Sequence, residues 1–295
     1  IQGLGLSEVA YQNAAAYAKE RLQGRSLTGP KEPGKPADPI LVHPDVRRTL
    51  MSIKAFNEAA RAFMIWTALH GDVSHRSDDE KQRQSADDYM GLLTPVLKGV
   101  LTDKGFDNAV KAQQMFGGHG YIEEHGMSQF VRDARIAMIY EGANGVQAMD
   151  LIGRKLPRDG GRAIMAFMGE IGAYLKEQSA DEQMKPFVAP LQNSLGHLQQ
   201  ASMWLMQNGM KNPDNAGAGA TDYMHLLGLV VLGYMWAKIA RAANDNLKSG
   251  ADDRMKAKLV TGRFFMERLL PATASHLAAL QSGADTTMAL TAEQF

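Results

Sequence analysis

PDVRRTLMSIKAFNEAARAFMIWTALH, residues 44–70, decides the fold class. Val46, Leu50, Ile53, Phe56, Asn57, Ala60, Phe63, Met64 and Thr67 recur every three or four residues, which places them on one face of an α-helix. Pro44 suits the first turn, where its missing N–H costs nothing. A stripe this long needs other faces to bury it, and the flanking sequence supplies them. Upstream, Ser7 is a candidate N-cap for a helix over residues 8–23, with Val9, Ala10, Ala14, Tyr17, Ala18 and Leu22 on one side. Residues 24–38 carry Pro30, Pro33, Gly34 and Pro36 and read as a loop. Downstream, a polar stretch at 74–85 precedes a third helical region at about 86–116, where Pro95 predicts a kink or a late start. Gly117, Gly118 and Gly120 end it; short helices follow near 128–136 and 144–155, around a non-helical corner at 140–143. No run alternates as strands do. The expectation is all-α: a four-helix-bundle-like domain over residues 1–157.

Residues 158–295 form a second, Met- and Ala-rich helical unit, with helices expected at 162–179, 182–208, 222–249 and 252–281 and an exposed Gly/Asn/Ala loop at 212–220. Met203, Met206, Met224, Met235, Met255 and Met266 read as core filler.

Among 295 residues, 32 Lys and Arg balance 32 Asp and Glu, which removes the net attraction that nucleic-acid binders use. The absence of cysteine excludes disulfides, thiolate nucleophiles and Cys-ligated zinc or iron–sulfur sites, so redox chemistry would need a bound cofactor. Apolar runs such as 226–238 fall short of the ~20 residues a membrane span needs, and no secretory signal is visible, so a cytoplasmic location is expected. The chain starts at Ile1 inside structured sequence, which suggests a fragment or processed chain.

Several chemical templates fail. No Glu is followed three residues later by His, as a di-metal bundle would require. His119, Glu123, Glu124 and His125 sit in a Gly-rich turn with no metallohydrolase spacing, and no metal is assigned. Gly118-His119-Gly120 follows a helix, which opposes a Rossmann reading, and phosphate-loop and serine-elbow motifs are missing. What stands out is QMFGGHGY at 114–121, then RDAR at 132–135, then IYEG at 139–142. A carboxylate at a corner among apolar and aromatic groups would have a raised pKa suited to taking a proton from carbon. The alternative is a turn glutamate in water, and composition alone favours it.

Together, Gln-x-Phe-Gly-Gly-x-Gly-Tyr, Arg-Asp-Ala-Arg and Ile-Tyr-Glu-Gly, at this spacing across about 111–156, resemble the C-terminal helical domain of the acyl-CoA dehydrogenases. Residues 3–25 resemble that domain's first helix, ending in Glu20-Arg21. The resemblance implies that Glu141 is the base taking the α-proton of an acyl-CoA thioester while a hydride leaves the β-carbon for FAD. It further implies that Tyr140 and Gly142 lie beside the substrate and that Arg21 reaches the flavin pyrophosphate. Gln114, Gly117 and Gly118 would contact FAD across a subunit interface, with Ala143 and Gly145 adding backbone contacts. A homodimer or homotetramer, and an electron-transfer flavoprotein as acceptor, follow from the same likeness.

The departures are Leu22-Gln23-Gly24 where an aromatic-Gly pair is usual, His43-Pro44 for His-Gln, and Ala143-Asn144-Gly145 for Thr-Ser-Gln/Glu. The Pro-rich loop and the C-terminal extension resemble an extended bacterial branch similar to the methylmercaptopropionyl-CoA dehydrogenases. The family's N-terminal helical and middle β-domains do not precede Ile1, so this stretch alone is expected to bind FAD poorly and to lack activity. The competing readings are a non-catalytic oligomerisation or interaction module and an acyl-CoA oxidase using the same base.

Overall fold

The computed structural model describes residues 1–295, and they fold as helices without a β-sheet; the only bridge is an isolated one between Leu22 and Pro39. The helices are α1 (Gln2–Glu20), α2 (Pro44–Arg76), α3 (Glu80–Met115), α4 (Gly118–Tyr121), α5 (Met127–Ala137) and α6 (Asn144–Asp150). They continue with α7 (Arg162–Gln178), α8 (Lys185–Gly209), α9 (Pro213–Lys248), α10 (Asp253–Arg268) and α11 (Thr273–Gln281). The all-α expectation holds.

Two compact units emerge, Ile1–Ala60 with Leu101–Tyr140, and Arg61–Val100 with Glu141–Phe295. Helices α2 and α3 each give about half of their length to each unit, a grouping by contact that differs from the division of the chain near residue 157. Periodicity shows that a helix has an apolar face; it does not show which neighbour covers it.

In the first unit, Ala10, Ala14 and Ala18 of α1 pack with Leu50 and Ile53 of α2, Ala109 and Ala112 of α3, and Met127 and Ala134 of α5. The small α1 side chains allow close approach. Ser7 does not cap a helix: α1 starts at Gln2, and Ser7 is wholly buried within it. Its hydroxyl donates to Asn57 Oδ1 and accepts from Asn108 Nδ2 at 3.0 Å, so one buried polar knot joins α1, α2 and α3. Burying these groups is tolerable because they satisfy one another.

In the second unit α9 is the central element, packed by α8, α10 and α11, with Tyr223, Tyr234 and Trp236 almost completely buried. It is long and apolar enough to cross a membrane, yet 78% of its most apolar window is buried inside the protein, as in a core helix. Residues 212–220, expected as a loop, are instead the start of α9. The Asn212 side chain accepts from the Asp214 N–H, Pro213 opens the first turn, and Gly219 and Ala220 are buried. The helix expected at 252–281 is broken at Leu270–Ala272, where Pro271 interrupts it.

Pro95, by contrast, lies inside an unbroken α3. An interior proline costs ~3 kcal/mol, whereas burying Leu92, Leu93 and Val96 around it contributes about 1.5–3 kcal/mol each. Met224, Met235 and Met266 fill the core as expected, but Met203 and Met206 are exposed on α8. Glu170 of α7 accepts from the Tyr89 and Tyr234 hydroxyls at 2.7 and 2.8 Å. Burial, reinforced by that carboxylate, pushes both phenols far above their usual range.

Candidate functional site

Within the first unit a cleft of about 780 Å³ opens between the end of α1, the loop after it and the α3–α4 turn. Helix α1 stops at Glu20, and Arg21 leaves it in an extended conformation (φ −66°, ψ 119°) with its side chain exposed. The Arg21 N–H still bonds Tyr17 O, and its carbonyl accepts from the Ile40 N–H, both at 2.8 Å, so the backbone beneath the guanidinium is tied on both sides.

The Pro-rich loop is ordered by one carboxylate. Asp38 is completely buried and accepts from the backbone N–H groups of Ser26, Lys31 and Glu32 at 2.9, 2.9 and 2.8 Å, with Arg25 Nη1 at 3.3 Å. These donors, Ser26 foremost, hold its carboxyl down at about 2 against the opposing effect of burial. Reciprocal bonds between Gln23 N and Asp38 O, and between Asp38 N and Gly24 O, close the loop's neck at 2.9 Å each. His43 Nε2 donates to the Gln23 carbonyl at 2.8 Å and lines the cleft.

On the opposite wall, Tyr17 stacks on Phe116 with ring centroids 4.1 Å apart, and its hydroxyl meets His119 Nδ1 at 3.0 Å. Gly117 adopts φ 57° and ψ −137°, a region that side chains disfavour. A Cβ on Gly120 would lie 2.3 Å from the Gln113 carbonyl, and Gln113 Nε2 donates to Gly120 O at 2.8 Å. Gln113 thus pins the turn, while its neighbour Gln114 is exposed along the cleft with Gly117 and Gly118.

The fold therefore brings Arg21, Gln114, Gly117 and Gly118 to one cleft. Tyr17, His43, Phe116 and His119 also line it, though the sequence reading gave them no place there. Tyr17 belongs by spacing to the apolar stripe of its helix, and His119 lies within the family motif without a role assigned by it. Phe116 and His119 flank the Gly-rich turn in sequence, whereas only the fold brings Tyr17 and His43 to it. Of the other charged groups in that turn, Glu123 pairs with Arg132 at 2.6 Å.

The IYEG corner is built differently. Tyr140, in the first unit, is half-buried and its hydroxyl donates to Gln2 Oε1. Glu141 and Gly142, which open the last segment of the second unit, are both left-handed, at φ 53° and φ 83°. For a glutamate this conformation is strained and must be held by its surroundings. Lys98 Nζ donates to Gly142 O at 2.8 Å and to Asn144 Oδ1 at 2.7 Å; Gln147 Nε2 donates to Glu141 O at 3.1 Å. Glycine suits the φ of Gly142, and a Cβ there would fall 2.8 Å from Gln147 Nε2, displacing that side chain from the corner. The Glu141 side chain is exposed in this chain, as in the turn-glutamate alternative that composition alone favours, and Ala143 and Gly145 are exposed beside it.

Comparison with known proteins agrees with this architecture. The model described as "Acyl-CoA dehydrogenase, C-terminal domain" matches residues 1–156, and "Acetyl-CoA dehydrogenase C-terminal like" matches residues 167–291. The chain is 35% identical over 272 residues to 3-methylmercaptopropionyl-CoA dehydrogenase of Ruegeria pomeroyi, covering 92% of this chain and 46% of that protein. It is 31% identical to a broad-specificity linear acyl-CoA dehydrogenase of Mycobacterium tuberculosis, covering 88% of this chain and 44% of that one. The chain thus spans less than half the length of these curated relatives. The crystal structure of an acyl-CoA dehydrogenase complexed with FAD from Bacillus anthracis shares the fold, with a TM-score of 0.70 at 17% identity over 94% of this chain and 46% of that chain. By its matched domains and its relatives, this chain belongs to the acyl-CoA dehydrogenase family and corresponds to its C-terminal helical portion.

Proposed function

We propose that the chain carries the general base and part of the flavin site of an FAD-dependent acyl-CoA dehydrogenase, which introduces an α,β double bond into an acyl-CoA thioester. The observation that supports this best is the cleft, where Arg21, Gln114, Gly117 and Gly118 converge from distant parts of the chain. A dinucleotide needs a cation for its pyrophosphate, polar edge partners and backbone unshielded by side chains. Arg21 and Gln114 meet the first two needs, and a Cβ on Gly117 or Gly118 would meet nothing within 4 Å. The volume of about 780 Å³ also lies within the roughly 300–1,000 Å³ of small-molecule sites.

Bound FAD would supply the hydride acceptor. Arg21 would hold pyrophosphate oxygens through its guanidinium fork. In the proposed reaction Glu141 takes the α-proton, and the C–H electron pair left on the α-carbon forms the double bond as hydride departs from the β-carbon. Gly142, without a side chain, leaves room for the thioester, with Tyr140, Ala143 and Gly145 around it. Gln114, Gly117 and Gly118 would meet FAD held by a neighbouring subunit, so a homo-oligomer belongs to the proposal, as does an electron-transfer flavoprotein as acceptor.

Glu141→Gln in the FAD-loaded holoenzyme should keep acyl-CoA binding and lose turnover by at least roughly 10²-fold. Turnover at the wild-type rate would refute the assignment of the base, and stoichiometric peroxide release by the wild type would mark an oxidase instead.

A further inference from the structure

We infer that Lys98 is a positioning residue for the proposed base, holding the strained Glu141-Gly142 corner from helix α3. The inference rests on the reading of Glu141 as base but concerns a residue to which no sequence motif points. Two consecutive left-handed residues turn the chain here, and only the second is glycine. A glutamate released from tertiary restraint would leave that conformation. The restraint comes through the carbonyls on either side of the corner. Lys98 Nζ holds Gly142 O at 2.8 Å, and Gln147 Nε2 holds Glu141 O at 3.1 Å.

Lys98 is itself anchored. Its Nζ also donates to Asn144 Oδ1 at 2.7 Å, and Asn144 is buried with its Nδ2 donating to the carbonyl of Gly99, the residue after Lys98, at 3.2 Å. The result is a closed exchange in which α3 grips the first residue of α6 through side chain and backbone together. Gln147 lies one turn into α6 and reaches back only to its own entry corner, where it holds the peptide plane following Glu141, so Lys98 is the side chain through which α3 fixes the next plane, the one following Gly142. A charged donor is well suited to this task, since its hydrogen bonds to carbonyls are stronger than neutral ones. Its bond to Asn144 is partly buried, while the one to Gly142 lies at the surface.

In the FAD-loaded holoenzyme, Lys98→Met should lower kcat by roughly 10²-fold, the loss expected when a reacting group shifts by about 1 Å, with FAD content and the KM for acyl-CoA unchanged. Lys98→Arg, which keeps a charged donor, should recover to within about tenfold of wild type. Amide hydrogen exchange over residues 147–150, whose N–H groups close the first turn of α6, should quicken in the Met variant and stay slow in the Arg variant. Wild-type kcat in Lys98→Met, or equal losses in the Met and Arg variants, would overturn the proposal. If Lys98→Met fails to load FAD, Lys98→Gln, a neutral donor, replaces it, and slow exchange at 147–150 accompanied by lost turnover would overturn the proposal. Glu141→Gln run in parallel separates the two readings. Turnover in that variant defeats the base assignment, whereas an inactive Glu141→Gln beside a fully active Lys98→Met defeats only the role of Lys98.

Discussion

Replacing Gly105 by alanine would drive a methyl group into the backbone of α1. A Cβ built on Gly105 lies 2.5 Å from Gly3 O and 2.9 Å from Gly3 C and Cα. Reciprocally, one on Gly3 lies 2.4 Å from Leu101 O. Here α1 and α3 touch main chain to main chain, and no rotamer change can make room. Reaching ordinary contact at 3.4 Å from 2.5 Å requires the helices to part by roughly 0.9 Å. That separation would loosen the packing of Ala10 and Ala14 against Ala109 and Ala112. Overpacking costs about 1–3 kcal/mol, and a backbone clash belongs at the upper end. Better helix propensity returns about 1 kcal/mol, so the net loss is about 2 kcal/mol, or roughly 4–8 °C in Tm. Gly169→Ala is the matched control: exposed in mid-α7, its Cβ meets nothing within 4 Å, and it should stabilise by up to about 1 kcal/mol. Thermal unfolding followed by circular dichroism at 222 nm reads both variants. A Gly105→Ala protein melting at or above wild type would refute the close-crossing argument.

Asp38→Asn should free the loop at 24–38. The wild-type carboxyl is held at about 2, below the ~3.9 of an unfolded aspartate, so its stabilisation is present above pH 4 and fades as pH falls toward 2. Limited trypsin digestion should cut the variant at Arg25 and Lys31 faster than wild type at neutral pH, and equal rates would count against the loop's dependence on this group. Glu170→Ala should cost about 2–4 kcal/mol in chemical denaturation, because it strips the acceptor from two tyrosines that are almost fully buried, Tyr89 and Tyr234. A loss below 0.5 kcal/mol, on the order of a surface substitution, would contradict the buried network.

Much of the helical layout was legible because apolar periodicity is local. The stripe from Val46 to Thr67 identifies α2, and the same spacing locates α1, α7 and α8. Errors arose where local signals competed with burial. Residues 212–220 have loop composition, yet Gly219 sits against Leu280 and is drawn into α9 by the packing it permits. Ser7 has cap chemistry but finds its partners in Asn57 and Asn108, and proline stops the helix at 271 while failing to do so at 95. The family motifs were legible as strings, since Gln114 to Tyr121 and Ile139 to Gly142 are each contiguous.

The sequence by itself determined an all-α chain, its family and the residues worth testing, because helix period and short motifs are properties of neighbouring residues. Only the tertiary structure decided that Arg21 shares a cleft with Gln114, that Asp38 organises a whole loop, and that Lys98 reaches Gly142. Those contacts join helices and loops far apart in the chain, and their geometry follows from which faces are buried against one another, a choice that no local pattern encodes.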